Sequence, residues 1–237
     1  MLNALYQSGR LLVAGCMLLV ATGLLGAPSA LAQLDGQPMR FALITNDREC
    51  DECVYIRASG DIEPYTAAQF RQFVRSHHLD AGNLTVMLHS PGGDVLAGVR
   101  LGREFRRFGF NTQVARAQRM PRGGYSLRLG DCASACSYAF LGGLKRFAED
   151  DVLGIHRFFP GHLEPDERVV ERPGDEAVSA LIKVYALDMG VSAGFIDMSL
   201  EVPPADMLYM THAELRELEV VNSDDPLPLQ ANAPKER

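Results

Sequence analysis

The sequence predicts an α/β domain with a mainly parallel sheet flanked by helices. Short strand-like runs alternate with amphipathic helical stretches along most of the chain, the rhythm of an α/β domain. Leu84-Thr-Val-Met-Leu-His-Ser90 reads as a buried strand and runs straight into Pro91-Gly92-Gly93-Asp94. A second small-residue turn, Asp131-Cys-Ala-Ser134, leads at once into the apolar, helix-forming run of residues 135–141. The 237 residues suffice for one ordinary domain or two small ones, and 47% apolar with 22% charged residues is a globular rather than a disordered balance. A net charge of −7 argues against a nucleic-acid partner, which calls for a basic patch.

Residues 1–32 read as a targeting segment. Arg10 is its one charged side chain, residues 11–25 are almost wholly apolar, and Ala27-Pro-Ser-Ala30-Leu-Ala32 supplies small residues at a cleavage-like site. The expectation is a secretory signal cut after Ala32 and a periplasmic or secreted mature protein. An uncleaved segment would instead anchor the chain, although residues 11–25 fall short of the ~20 apolar residues of a spanning helix. Export sets the reading of Cys50, Cys53, Cys132 and Cys136, since an even number of cysteines in an oxidising compartment suggests disulfides. Local pairs, Cys132–Cys136 and Cys50–Cys53, are expected. Cys53 opens one strand and Cys132 follows the end of a parallel one, about 20 Å apart at ~3.3 Å per residue. A four-thiolate zinc site is the competing reading; it would block the chemistry at Ser134.

Residues 33–52 form a lead-in with a short strand at 41–45. Residues 53–58 alternate as a strand should, and residues 66–78 place Ala67, Phe70, Phe73 and Val74 at helical spacing. Residues 95–108 read as a helix with Val95, Val99, Leu101 and Phe105 inward and Arg100, Arg103, Arg106 and Arg107 mostly outward, closed by Gly109. A further strand begins at 112–115. Residues 118–129 read as a mobile insertion, a lid or plain surface. Residues 152–156 form a short strand ending on His156. The proline- and charge-rich stretch 158–176 looks solvated; helices follow at 177–189 and 192–200, and Thr211-His-Ala-Glu214 is a capping box. The folded domain is placed at 53–222, with a polar tail at 223–237.

These pieces offer a nucleophile, a base and a glycine turn. A serine at a helix N-terminus has unpaired N–H groups nearby, and a serine hydroxyl needs a base to take its proton. Ser134 and His156 are the candidates; His77, His78, His89, His162 and His212 lack a matching context. The backbone N–H groups of Gly93 and Ala135 would form an oxyanion hole. Ser137, one turn further on, is the rival nucleophile, but it would lie inside the helix.

The order Ser90-Pro-Gly-Gly93, Ala133-Ser-Ala135 followed by an apolar helix and Gly142-Gly143, then Lys145-Arg-Phe-Ala148 and Ile155-His156 resembles the Clp-type serine endopeptidases, within the larger crotonase-like superfamily. The resemblance covers roughly residues 54–221 and is nearest to exported, Clp-like proteins. It implies a spiral of ββα units and a serine hydrolase, in the first instance a peptidase, that works through an acyl-enzyme without cofactor or metal. It implies Ser134 over Ser137, since the pattern sets the serine nine positions before the glycine that Gly143 matches. It also implies a triad acid near 201–211, where proline holds the aligned place and Asp206 stands three residues later. The site is thus Ser134, His156 and Asp206, or a dyad with a displaced acid. Substrates would be peptides, unfolded segments or small esters. An ATPase partner is not expected outside the cytoplasm, and a homo-oligomer stays open. The alternatives are a non-catalytic peptide-binding module on the same fold and, more remotely, acyl-thioester chemistry.

Overall fold

The computed structural model describes residues 36–45, 53–79, 84–158 and 175–227. The targeting segment, Cys50 and nearly all of 158–174 lie outside these ranges. Strand β1 (Arg40–Ile44) pairs antiparallel with β2 (Tyr55–Ser59). Helix α1 (Thr66–Ser76) leads to β3 (Thr85–His89), parallel to β2, and α2 (Val95–Phe108) leads to β4 (Asn111–Arg119), parallel to β3. The outer edge of β4 is shared by β5 (Tyr125–Leu129), antiparallel, and β7 (Arg146–Phe147), parallel. A second sheet holds β6 (Cys132–Ala133), β8 (Leu153–Ile155) and β9 (Leu208–Met210), with β6 and β8 parallel and β9 antiparallel at the edge. A bridge between Ser90 and Cys132 joins the two sheets. The helices α3 (Ala135–Phe140), α4 (Asp175–Asp188), α5 (Ala193–Glu201) and α6 (His212–Glu217) complete the description. The architecture is the expected one: α/β, mainly parallel, with antiparallel strands at the edges.

Local chemistry explains the boundaries. Asp94 caps α2 by accepting from the Ala97 N–H, and Gly109 ends it in the left-handed conformation at φ +72°. Thr211 and Glu214 close a reciprocal capping box on α6. The apolar period of α1 buries Phe70, which meets Phe41, Phe105, Phe108 and Phe110. Full burial of such a ring is worth roughly 1.5–3 kcal/mol, so this cluster anchors α1 and α2 to the sheet. Glycines at 98 and 102 let α3 lie directly on α2: a Cβ on Gly98 would stand 2.3 Å from the Ala135 carbonyl oxygen.

Two expectations change. Residues 118–129 are the end of β4, a tight turn and β5, not an irregular insertion. Gly123 and Gly124 take φ +85° and +74°, the Met120 and Gly124 backbones bond to each other, and Tyr125 and Leu127 pack on a small apolar cluster with Met87 and Ala115. The short strand expected at 41–45 stands as β1, whose five residues pair in register with β2. Arg106 does not point outward: its guanidinium donates to the carbonyls of Gly142, Gly143 and Met189. Beside it, buried Arg146 donates to Gly143, Met189, Glu219 and Val220. Together these two side chains hold the ends of α3 and α4 against residues 219–221. Among the described residues no helix is long and apolar enough to cross a membrane.

Candidate active site

The serine turn is built by the second sheet. Strand β6 delivers Ser134, whose N–H donates to the Gly154 carbonyl of β8 at 3.0 Å. Ser134 takes φ +55°, ψ −121°, a conformation L-residues seldom adopt and one that costs on the order of 1–3 kcal/mol. Here the surroundings enforce it. The Cys132–Cys136 disulfide, fully buried, spans the turn from below, so this pair is local as expected and cannot serve a zinc ion. Cys53 is also disulfide-bonded, to a partner beyond the described residues, where Cys50 lies. From above, Gly92 rests on the turn at φ +115°; a Cβ there would sit 2.8 Å from both the Ala133 carbonyl oxygen and the Ser134 Cβ.

His156 follows β8 directly and is 8% exposed. Its Nε2 lies 2.7 Å from the Ser134 hydroxyl oxygen. Its Nδ1 lies 3.1 Å from the Pro204 carbonyl oxygen. A carbonyl only accepts, so Nδ1 carries the proton and Nε2 accepts from the Ser134 hydroxyl. Burial pulls the His156 pKa below its ordinary 6.5, against the opposing pull of the Pro204 carbonyl. The ring is therefore neutral at neutral pH, the state a general base requires.

The two expected oxyanion donors lie on adjoining turns. Gly93 stands at φ +130°, next to Gly92, whose own Cβ position is 3.2 Å from the Ala135 nitrogen. The Gly93 N–H donates to no acceptor among the described residues; the neighbouring bonds run from Ile62 N–H to Gly92 and from Asp94 N–H to Ile62. Ala135 opens α3, where an N–H has no partner within the helix, and Ser134 makes no side-chain cap. Ser137 lies inside α3, as read. It is fully buried, and its hydroxyl donates to the carbonyls of Gly154, at 2.6 Å, and Cys132. It braces the turn and does not face a substrate.

Asp206 is the member the structure does not bring in. It is exposed, and its carboxylate makes no hydrogen bond to His156; its backbone N–H closes a turn onto Pro203. Among the described residues, the group that meets Nδ1 is the Pro204 main-chain carbonyl. No residue-type signal marks a backbone carbonyl, so sequence reasoning had nothing to find there. Of the other histidines, His89 and His212 accept or donate locally around Asp131 and Ala148, His77 bonds the Phe73 carbonyl, and His162 lies outside the described residues.

The sequence matches no family model, and no curated protein matches it. Similar solved structures include two of a membrane-bound stomatin-specific protease called 1510-N. A serine-to-alanine mutant of it is 20% identical, with a TM-score of 0.49 over 70% of this chain and 75% of that one. A lysine-to-alanine mutant, in complex with a substrate peptide, is 18% identical, with a TM-score of 0.48 over 70% of this chain and 71% of that one.

Proposed function

We propose that this chain is an exported serine hydrolase of the Clp-like, crotonase-superfamily type, in the first instance a peptidase acting through an acyl-enzyme. The observation that carries it is the 2.7 Å contact between His156 Nε2 and the Ser134 hydroxyl. In the reaction Ser134 attacks the scissile carbonyl while Nε2 takes the hydroxyl proton. Negative charge developing on the carbonyl oxygen meets the N–H groups of Gly93 and Ala135. The imidazolium returns the proton to the leaving group, and a water activated by the same nitrogen then releases the acyl group. The Pro204 carbonyl holds the ring in the working tautomer but brings no negative charge to offset the imidazolium. Self-assembly belongs to the same reading, since Leu181, Val184 and Leu187 stand exposed along α4. Export rests on the signal-like residues 1–32, and secreted material is expected to begin at Gln33.

The test is labelling with a fluorophosphonate probe, which reacts with an activated serine. The mature protein should label at Ser134, and Ser134→Ala and His156→Ala should each abolish labelling while the fold persists. Loss of the serine or its base in triad hydrolases costs on the order of 10⁶ in rate, whereas loss of a helix cap costs about 1 kcal/mol and no chemistry. Wild-type protein that stays unlabelled where a known serine hydrolase reacts would replace this reading with the peptide-binding module. The carbonyl on Nδ1 is the observation that favours that second reading.

A further inference from the structure

The face of the second sheet that carries His156 also carries an acid that forms no ion pair among the described residues. Alternate residues of a strand share a face, so the His156 side chain and the missing side chain of Gly154 point the same way. Gly154 pairs with Ala133 on one side and Tyr209 on the other. The space above Gly154 is filled from β9: a Cβ there would lie 2.9 Å from the Met207 sulfur and 3.0 Å from the edge of the Tyr209 ring. Tyr209 crosses β8 through that gap, and its hydroxyl donates to Asp131 Oδ1 at 3.1 Å. Asp131 immediately precedes β6, three residues before the nucleophile, which is roughly 10 Å of extended chain. An extended lysine or arginine side chain from a bond held at Ser134 and the Asp131 side chain that meets it together cover that distance. Met207 is 37% exposed, and Asp131 and Tyr209 are half-buried, so the strip is open to a ligand.

We propose that Asp131, Tyr209 and Met207 form a specificity subsite that takes a basic side chain, lysine or arginine, next to the bond attacked by Ser134. The proposal rests on the hydrolase reading above and names its substrate class. Met207 and the Tyr209 ring supply an apolar channel for the methylene stem, and the Asp131 carboxylate receives the cation at its end. Among the described residues no lysine or arginine forms an ion pair with Asp131. Burial pushes its pKa up to about 6, opposed by the Tyr209 hydroxyl. A carboxylate that has lost water without gaining a positive neighbour is stabilised by a cation brought by the ligand. The groups that touch Asp131 are Tyr209 on β9 and His89 at the end of β3, whose Nδ1 accepts the Asp131 N–H; His156, just past β8, lies on the same sheet face beyond Gly154. Arg116 of β4 acts on His89.

The experiment compares two aryl phosphonate probes that differ in one side chain, lysine against its neutral isostere norleucine, on the mature protein. The ratio of their labelling rates is read, so a general loss of reactivity cancels. The wild type should favour lysine by about tenfold or more, equivalent to ~1.4 kcal/mol. The preference should fall as pH is lowered through about 6, where Asp131 takes up its proton. Asp131→Asn should bring the ratio close to one, and Tyr209→Phe should lower it in part. Butylammonium should also slow labelling by the norleucine probe more than butanol does, a measurement that needs no variant to fold. A ratio at or below one in the wild type, a preference that survives in Asp131→Asn, or equal effects of butylammonium and butanol overturns the subsite alone, provided the fluorophosphonate still labels Ser134. Inertness to every probe, the fluorophosphonate included, removes the hydrolase reading and the subsite with it.

Discussion

Gly92→Ala tests whether the glycine turn sets the nucleophile. The added Cβ would stand 2.8 Å from the Ala133 carbonyl oxygen and from the Ser134 Cβ, and 3.2 Å from the Ala135 nitrogen. These atoms belong to the backbone and Cβ of the nucleophile turn, so no flexible side-chain end absorbs the clash. Relief to an ordinary 3.4 Å contact moves the turn or the glycine loop by about 0.6 Å. The φ of +115° adds a conformational cost of on the order of 1–3 kcal/mol for any L-residue. A misplacement approaching 1 Å at reacting groups costs on the order of 10²-fold in rate. Fluorophosphonate labelling of Gly92→Ala should therefore fall about a hundredfold, with a melting temperature several degrees lower, at about 2–4 °C per kcal/mol for a chain of this size. Gly190→Ala is the matched control. Gly190 also has positive φ, +71°, but nothing lies within 4 Å of its Cβ position. It should lose about 1 kcal/mol of stability and keep its labelling rate. Equal labelling of the two variants would refute the claim that Gly92 holds the serine turn in place.

Three further outcomes follow from named contacts. Ser137→Ala removes hydroxyl bonds to Gly154 and Cys132, but the Gly154 carbonyl keeps the Ser134 N–H, so thermal melts should show a loss of about 1 kcal/mol while labelling persists; abolished labelling would shift the nucleophile to Ser137. Arg146→Met strips the carbonyls of Gly143, Met189, Glu219 and Val220 of a shared donor, and urea unfolding should register a loss of at least about 3 kcal/mol; Arg146→Lys should recover little, since a compact ammonium cannot reach all four. The pH profile of fluorophosphonate labelling follows His156, which acts while neutral. Burial lowers its pKa, so the rate should hold as pH falls past 6.5 and drop only below it; a midpoint above 6.5 would contradict the buried-base geometry.

Much of this protein is written in local pattern. The period of Phe70 and Val74, the span of α2 with its stop at Gly109, and the capping box at Thr211 are short-range effects. Each depends on residues within a turn or two, and each stands where the sequence placed it. The Cys132–Cys136 pair is legible for the same reason, four residues apart around a tight turn. The hairpin at 118–129 was also present locally, as alternation through Tyr125-Ser-Leu-Arg-Leu129, but glycines and arginines around it read as a loop.

What only the tertiary structure decided is which distant groups meet, and whether they are side chains at all. Ser134 and His156 are 22 residues apart and come within 2.7 Å because β6 and β8 lie side by side in parallel. Chain pattern nominates both residues but cannot measure that distance. The partner of Nδ1 is the Pro204 carbonyl, 48 residues on, while Asp206 faces outward. A peptide carbonyl is common to every residue, so its use as an orienting group leaves no mark in the sequence. Arg146 carries the same lesson. It is buried because carbonyls from three separate segments converge on one point, and a guanidinium is the one side chain with enough donors to satisfy them.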